Sequence, residues 1–216
     1  MKKNIFILFL SVSITQAIHS FVLMFYLPTD AKGGRIINGE FEKDILSEWA
    51  AVLQDQLKEK KPEIQVVILG QTEKEYDHIK LISQANRINP DLIISLNAFS
   101  AQSRPQLFLY HVLFSTELSS WQKPTGLRFI SYEQAYMTHA HQSNLFGKHI
   151  YGSLKIHTKE PYELRSFLGI PYKPLMGLLP PALGIELGST NAKSWELTIA
   201  SLVQAFIVTI DTLKGE

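Results

Sequence analysis

Residues 84–99 read Gln-Ala-Asn-Arg-Ile-Asn-Pro-Asp-Leu-Ile-Ile-Ser-Leu-Asn-Ala-Phe, and in these sixteen positions one kind of structure gives way to another. Upstream, Tyr76, Ile79, Ile82, Ala85 and Ile88 recur at helical spacing, which predicts a helix over 73–88. Asn89-Pro90 ends it, because proline supplies no amide and pushes the residue before it out of helical backbone. Asp91 to Ala98 is then almost continuously apolar, as expected of a strand covered on both faces. The same alternation extends in both directions. Phe21 to Leu27 and Ile64 to Leu69 are apolar runs of strand length, and between them Ile45, Leu46, Trp49, Ala50, Leu53 and Leu57 mark a helix. Lys58 to Lys61 places positive charge on that helix's last turn, and Pro62 stops it. Downstream, Gln106 to Phe114 reads as a strand, Tyr132 to His157 as largely helical, Ala182 to Leu187 as a short strand and Asn191 to Leu213 as a long amphipathic helix. Strand and helix in turn predict an α/β fold: a three-layer α/β/α sandwich around a mostly parallel sheet, forming one domain over 21–216.

Composition narrows the function classes. Hydrophobic residues are 45% of the 216 and charged residues 19%, enough apolar material for one sizeable core. A formal net charge of +1 gives no overall basic surface with which to displace counterions, so nucleic acid is not an expected partner. The absence of cysteine excludes disulfides, zinc–thiolate sites and thiol nucleophiles, and no Gly-x-Ser-x-Gly motif offers a serine nucleophile in their place.

The first twenty residues speak to compartment. Lys2 and Lys3 precede an apolar stretch from Ile5 to Ile14, and Thr15-Gln16-Ala17 offers small residues around a cleavage point after Ala17. This is the pattern of a secretory signal peptide over 1–20. The stretch is too short to span a bilayer alone, and Gln16, His19 and Ser20 separate it from the apolar run at 21–27. Uncleaved, it would act as an anchor. The expected location is the periplasm or cell envelope, with contact to membrane only through this segment.

Four stretches, in order, carry a family resemblance. FVLMFYLPTDAKGG (21–34) resembles an opening strand and a loop usually reading Asp-Pro-Gly-His-Gly-Gly; GEFEKDI (39–45) resembles a Glu-Lys-Asp helix start. QANRINPDLIISLNAF (84–99) resembles Ala-Asn followed by Asp-Leu-Phe-Ile-Ser-Ile-His-Ala-Asn, and PPALGIELGSTN (180–191) resembles Pro-Ala-Val-Leu-Val-Glu-Leu-Gly-Phe-Leu-Ser-Asn. The family is that of the zinc-dependent N-acetylmuramoyl-L-alanine amidases of type 3. The resemblance implies their phosphorylase/hydrolase-like fold and zinc-assisted hydrolysis of the bond between N-acetylmuramic acid and L-alanine in peptidoglycan.

The resemblance also implies a site. Two histidines and a glutamate would hold zinc, leaving a fourth position open, and a second glutamate would act as general base and then proton donor. Glu42 stands at the ligand glutamate and Glu186 at the catalytic one. Both histidine positions are changed: Lys32 stands at the first and Asn97 at the second. A lysine ammonium offers no lone pair, and an asparagine carbonyl suits harder cations than zinc. Asp30, His139 and His141 are the substitutes within reach of a rearranged loop. Taken alone, the two histidines are surface residues on a helix, where positions two apart do not share a face.

Alternatives exist for the retained residues as well. Glu42 precedes Lys43 and Asp44 at a helix start, where a carboxylate is favoured by the dipole alone. Glu186 lies inside an apolar strand, where a carboxylate needs a partner. Without zinc the two carboxylates would repel each other, and Lys32 is the cation the loop offers to offset them. Asn86 and Asn191 match family positions and are also ordinary helix-end residues; Trp121, Tyr132 and Tyr136 serve either as core or as a sugar-stacking surface. The expectation is an amidase-like cell-wall protein with no zinc, or only weakly held zinc. It would bind peptidoglycan or another envelope protein rather than cleave; the alternative is an active amidase with a non-standard metal site.

Overall fold

The computed structural model describes residues 20–28, 33–70, 78–112, 132–156 and 161–214. Its centre is a six-stranded sheet built from β1 (Phe21–Tyr26), β4 (Ile64–Leu69), β5 (Leu92–Ser100), β6 (Gln106–Val112), β7 (Glu163–Ile170) and β8 (Ala182–Ser189), ordered β4-β1-β5-β8-β6-β7. Four of its five pairings are parallel; only β6 against β8 is antiparallel. A two-stranded hairpin, β2 (Ile36–Ile37) with β3 (Glu40–Phe41), stands apart from it.

Period-two alternation along the central strands explains why they need two layers of cover. One set of side chains, including Leu23, Phe25, Ile94, Leu96, Leu183 and Ile185, packs with α1 (Glu42–Lys60), α3 (Ala140–Ile156) and α4 (Ile199–Lys214). The other set, including Met24, Tyr26, Ile93 and Ala182, packs with α2 (His78–Ile88) and the turn around Leu175 and Leu178. The chain is therefore the three-layer α/β/α sandwich read from the sequence, with helices on both faces of a mostly parallel sheet.

α1 shows how the local pattern becomes stability. Ile45, Leu46, Trp49, Ala50, Leu53 and Leu57 are fully buried on one face, and each large apolar side chain so placed contributes roughly 1.5–3 kcal/mol. Its first turn carries Glu42 and Asp44, its last Lys58 and Lys60, both signs favourable to the helix dipole. No side chain caps its N-terminus. Backbone carbonyls of the preceding loop do so instead, Arg35 O accepting from Glu42 N at 2.7 Å and Gly33 O from Lys43 N at 2.9 Å.

Three elements bear on the sequence reading. Phe21–Tyr26, adjacent to the apolar leader, is a strand lying between β4 and β5 with five of its six side chains buried, as expected, but the leader itself lies outside the described residues. The last helix begins at Ile199 rather than Asn191. Asn191 Oδ1 accepts from Lys193 N, and Ser194 Oγ accepts from the amides of Thr190 and Asn191, so side chains hold a turn and a short 3-10 segment where a helix would otherwise start. β7 is an edge strand with no fully buried side chain, and its half-exposed sequence lacks the apolar run that marks the central strands.

Candidate functional site

The carboxyl ends of β1, β5 and β8 open at one edge of the sheet, the position at which parallel α/β folds place their ligands. Asn97 and Glu186 are register partners on β5 and β8 and so share a face of the sheet. Ala98, the next residue of β5, donates its amide to Glu42 Oε1 at 3.0 Å. Glu42, Asn97 and Glu186, scattered over 145 positions of chain, thus converge at one edge of one sheet. Lys32 and Asp30 lie outside the described residues.

Among the described residues, the cation that joins the two carboxylates is Arg35. Its Nε donates to Glu42 Oε2 at 3.3 Å, and its Nη2 lies 3.5 Å from Glu42 Oε1 and 3.3 Å from Glu186 Oε1. Its backbone amide adds a further bond to Glu42 Oε2 at 3.1 Å. Burial opposes the charge on Arg35, but the hydrogen bonds and charge of Glu42, then those of Glu186, outweigh it and raise its pKa. Local folding puts Arg35 there. Asn38 and Gly39 both have positive φ, 51° and 95°, the backbone of a two-residue hairpin turn. Ile37 pairs with Glu40 and Ile36 with Phe41, so the next pair outward is Arg35 with Glu42. The Asn-Gly pair is the sequence signal that marks this hairpin, and it points to Arg35; the family resemblance points to Lys32 instead.

Glu42 and Glu186 differ in their surroundings. The Glu42 side chain is 7% exposed and that of Glu186 is 18%. Glu186 Oε2 accepts from the Tyr110 hydroxyl at 3.2 Å. Burial, then the charge of Glu186 and this hydrogen bond, push the Tyr110 phenol up to about 12. Tyr172 lies beyond, its ring centroid 5.1 Å from that of Tyr110, and its buried hydroxyl has no hydrogen-bond partner among the described residues. Burial foremost, with the charge of Glu186, raises its pKa as well. Phe108, the register partner of Glu186 on β6, stacks on Tyr110 at 6.0 Å and meets Phe99 at 5.7 Å. A row of four aromatic rings therefore runs beside the carboxylates. Tyr110 and Tyr172 were invisible in the sequence because neither lies in a motif; only the fold brings them beside Glu186.

The remaining candidates lie elsewhere. His139 Nδ1 is hydrogen-bonded to Gln142, and His141 is exposed on α3. Tyr136 packs against the smaller core beside α2. Trp121 and the Tyr132 side chain lie outside the described residues. Asn86 has a structural role. Its Nδ2 donates to Gly177 O and its Oδ1 accepts from Leu179 N, both at 2.8 Å, fixing the turn that leads into β8.

These surroundings test whether zinc fits. Both oxygens of Glu42 already accept hydrogen bonds, from Ala98 on one side and Arg35 on the other. Asn97 shares a hydrogen bond with Ser95 Oγ at 3.2 Å. No group of three or more His, Cys, Asp or Glu that could hold a metal occurs among the described residues. Among the described residues, two hydrogen-bonded carboxylates, one amide and a permanent guanidinium cation, which offers no lone pair, do not make a donor set that fits a zinc ion.

No family model matches the sequence, and no curated protein matches it either. Solved structures do. The N-acetylmuramoyl-L-alanine amidase from Clostridium difficile 630 superposes with a TM-score of 0.57 at 16% identity, over 89% of this chain and 98% of that one. The N-acetylmuramoyl-L-alanine amidase AmiC2 of Nostoc punctiforme gives 0.59 at 12%, over 88% and 97%. Ami1 from Mycobacterium smegmatis, an amidase of the same kind, gives 0.58 at 11%, over 88% and 97%. At these identities the likeness is one of fold, and it runs the length of the chains compared.

Proposed function

We propose that this chain, built on the fold of the N-acetylmuramoyl-L-alanine amidases, is an exported cell-wall protein that binds peptidoglycan or an envelope partner without hydrolysing it by zinc chemistry. The observation that carries the reading is the guanidinium of Arg35, held 3.3 Å from both Glu42 and Glu186. Hydrolysis of an amide in this fold calls for a Lewis acid to polarise the carbonyl and a carboxylate free to take a proton from water. Here Glu186 is engaged by Arg35 and Tyr110, and Glu42 by Arg35 and the backbone of β5. Glu42 and Glu186, the inherited ligand and catalytic positions on this reading, then keep the cleft in shape rather than activate water. Asn97 and Lys32 are the replaced ligand positions. The aromatic row of Phe99, Phe108, Tyr110 and Tyr172 supplies a surface beside them on which a sugar or peptide can pack.

Co-sedimentation with purified sacculi tests this directly. The expected result is binding that is unchanged by EDTA, with no release of stem peptides when zinc is added. Zinc-dependent release would establish the other reading, an active amidase on a non-standard metal site. Failure to bind sacculi, together with failure to capture any envelope protein, would remove the binding role.

A further inference from the structure

A binding role leaves open what holds the two carboxylates of the cleft together. Glu42 belongs to α1 and Glu186 to β8, and two anions brought this close need a cation between them. A divalent ion is one solution. This chain contains another, because a single nitrogen, Arg35 Nη2, reaches Oε1 of both glutamates at 3.5 and 3.3 Å. We propose that Arg35 is the resident cation of this cleft, occupying with its guanidinium the place of a divalent metal and closing the Glu42–Glu186 pair to one.

Three features support the assignment. Arg35 is fixed from its backbone: its carbonyl accepts from Glu42 N at 2.7 Å, its amide donates to Glu42 Oε2 at 3.1 Å, and the hairpin tip is tied to β8 by Asn38 Nδ2 on Ser189 O at 3.3 Å. The guanidinium stays charged at every pH a protein survives, so it cannot vacate the site by losing a proton as a histidine or lysine can. The acceptor positions of the carboxylates are distributed among Ala98 N, Arg35 and the Tyr110 hydroxyl, leaving a metal to compete with all of them and with a positive charge at contact distance. The Arg35 side chain is 55% exposed, so removing its charged end opens the pair to solvent without excavating the core.

This role for Arg35 goes beyond peptidoglycan or partner binding and does not depend on it, and one experiment keeps the two apart. Zinc and manganese binding are measured by equilibrium dialysis on the full chain, alongside melting temperature with and without each metal and EDTA. Wild-type protein is expected to take up neither metal and to melt at the same temperature throughout. Arg35→Gln, which removes the charge and shortens the side chain while keeping a polar end, is expected to bind at least one of the two about tenfold or more tightly than wild type, and to melt higher in its presence. Arg35→Lys, which keeps the charge, is expected to remain metal-insensitive; a purely structural role for Arg35 would make both variants alike. Stoichiometric zinc uptake by the wild type that Glu186→Gln abolishes overturns the proposal, even if Arg35→Gln fails to fold. A folded Arg35→Gln that ignores both metals overturns it as well. Loss of sacculus binding with these metal results intact would count against the binding role alone.

Discussion

Gly34 and Glu42 approach each other so closely that no side chain fits between them. A Cβ on Gly34 would stand 2.7 Å from Glu42 Oε2 and 3.0 Å from Glu42 Cβ, and Gly34 has a φ of +79° that other residues rarely adopt. Gly39, in the same hairpin, also has positive φ but no atom within 4 Å of the added carbon. The two glycines therefore separate backbone cost from collision. Gly39→Ala is expected to lose about 1 kcal/mol through backbone strain alone. Gly34→Ala adds displacement of Glu42 and is expected to cost about 2–3 kcal/mol, read as a larger fall in the urea midpoint.

The layers of this fold were legible because the central strands and α1 are long and consistently patterned. Leu92 to Ala98 and Ile45 to Leu57 are buried in the structure on the schedule their spacing predicts. β7 was not legible, since an edge strand is half solvated and needs no apolar run. The site was legible in part. Glu42, Asn97 and Glu186 follow from short stretches of sequence and do meet at one sheet edge, whereas Arg35 owes its place to the pairing register of the Asn38-Gly39 hairpin. Tyr110 reaches Glu186, and Tyr172 reaches Tyr110, only through tertiary packing between β6, β8 and the turn after β7. No local pattern encodes such a contact.

The two glutamates are expected to carry unequal structural weight. Glu42 satisfies the amides of Ala98 and Arg35 from a nearly buried position, and its removal leaves Ala98 N without an acceptor. Glu42→Ala should therefore destabilise by about 2–4 kcal/mol. Glu186 is more exposed and satisfies no backbone amide among the described residues; its partners are the half-exposed Arg35 side chain and the buried Tyr110 hydroxyl. Glu186→Ala should cost less, about 1–2 kcal/mol. Equal losses in a denaturant titration of the two variants would contradict this division.

Alkaline pH addresses the Tyr110–Glu186 contact. The Tyr110 phenol is held up to about 12 in the folded chain, above the ordinary tyrosine value of about 10. A raised acid contributes stability that is fully present below the unfolded value and is lost as pH rises through the folded one. The contribution should therefore fade between about 10 and about 12. Tyr110→Phe should lower stability at neutral pH, remove this part of the alkaline loss and delete a late-ionising phenol from the absorbance titration at the tyrosinate band. A Tyr110→Phe variant whose alkaline stability profile matches the wild type would show that the Tyr110 phenol ionises no later than an ordinary tyrosine.

The aromatic row depends on a glycine in β8. Tyr172 lies directly over Gly184, and a Cβ there would fall 2.5 Å from Tyr172 Cε1 and 2.9 Å from Cδ1. Gly184 is also the register partner of Tyr110, so the ring of Tyr172 reaches Tyr110 only by crossing the bare backbone at this position. Gly184→Ala is expected to push the Tyr172 ring away from Tyr110 and to cost about 1–3 kcal/mol, the usual penalty of overfilling a packed contact. Near-ultraviolet circular dichroism should lose intensity as the stack opens, while the far-ultraviolet spectrum stays that of the folded chain. The decisive comparison is a double-mutant cycle with Tyr172→Ala. Because the collision is between these two side chains, the alanine at 184 should cost little once the ring is absent, giving a coupling of about 1 kcal/mol or more. Additive losses would mean that the strain from Gly184→Ala falls on the backbone of β8 instead, and that the ring is held in place by other neighbours.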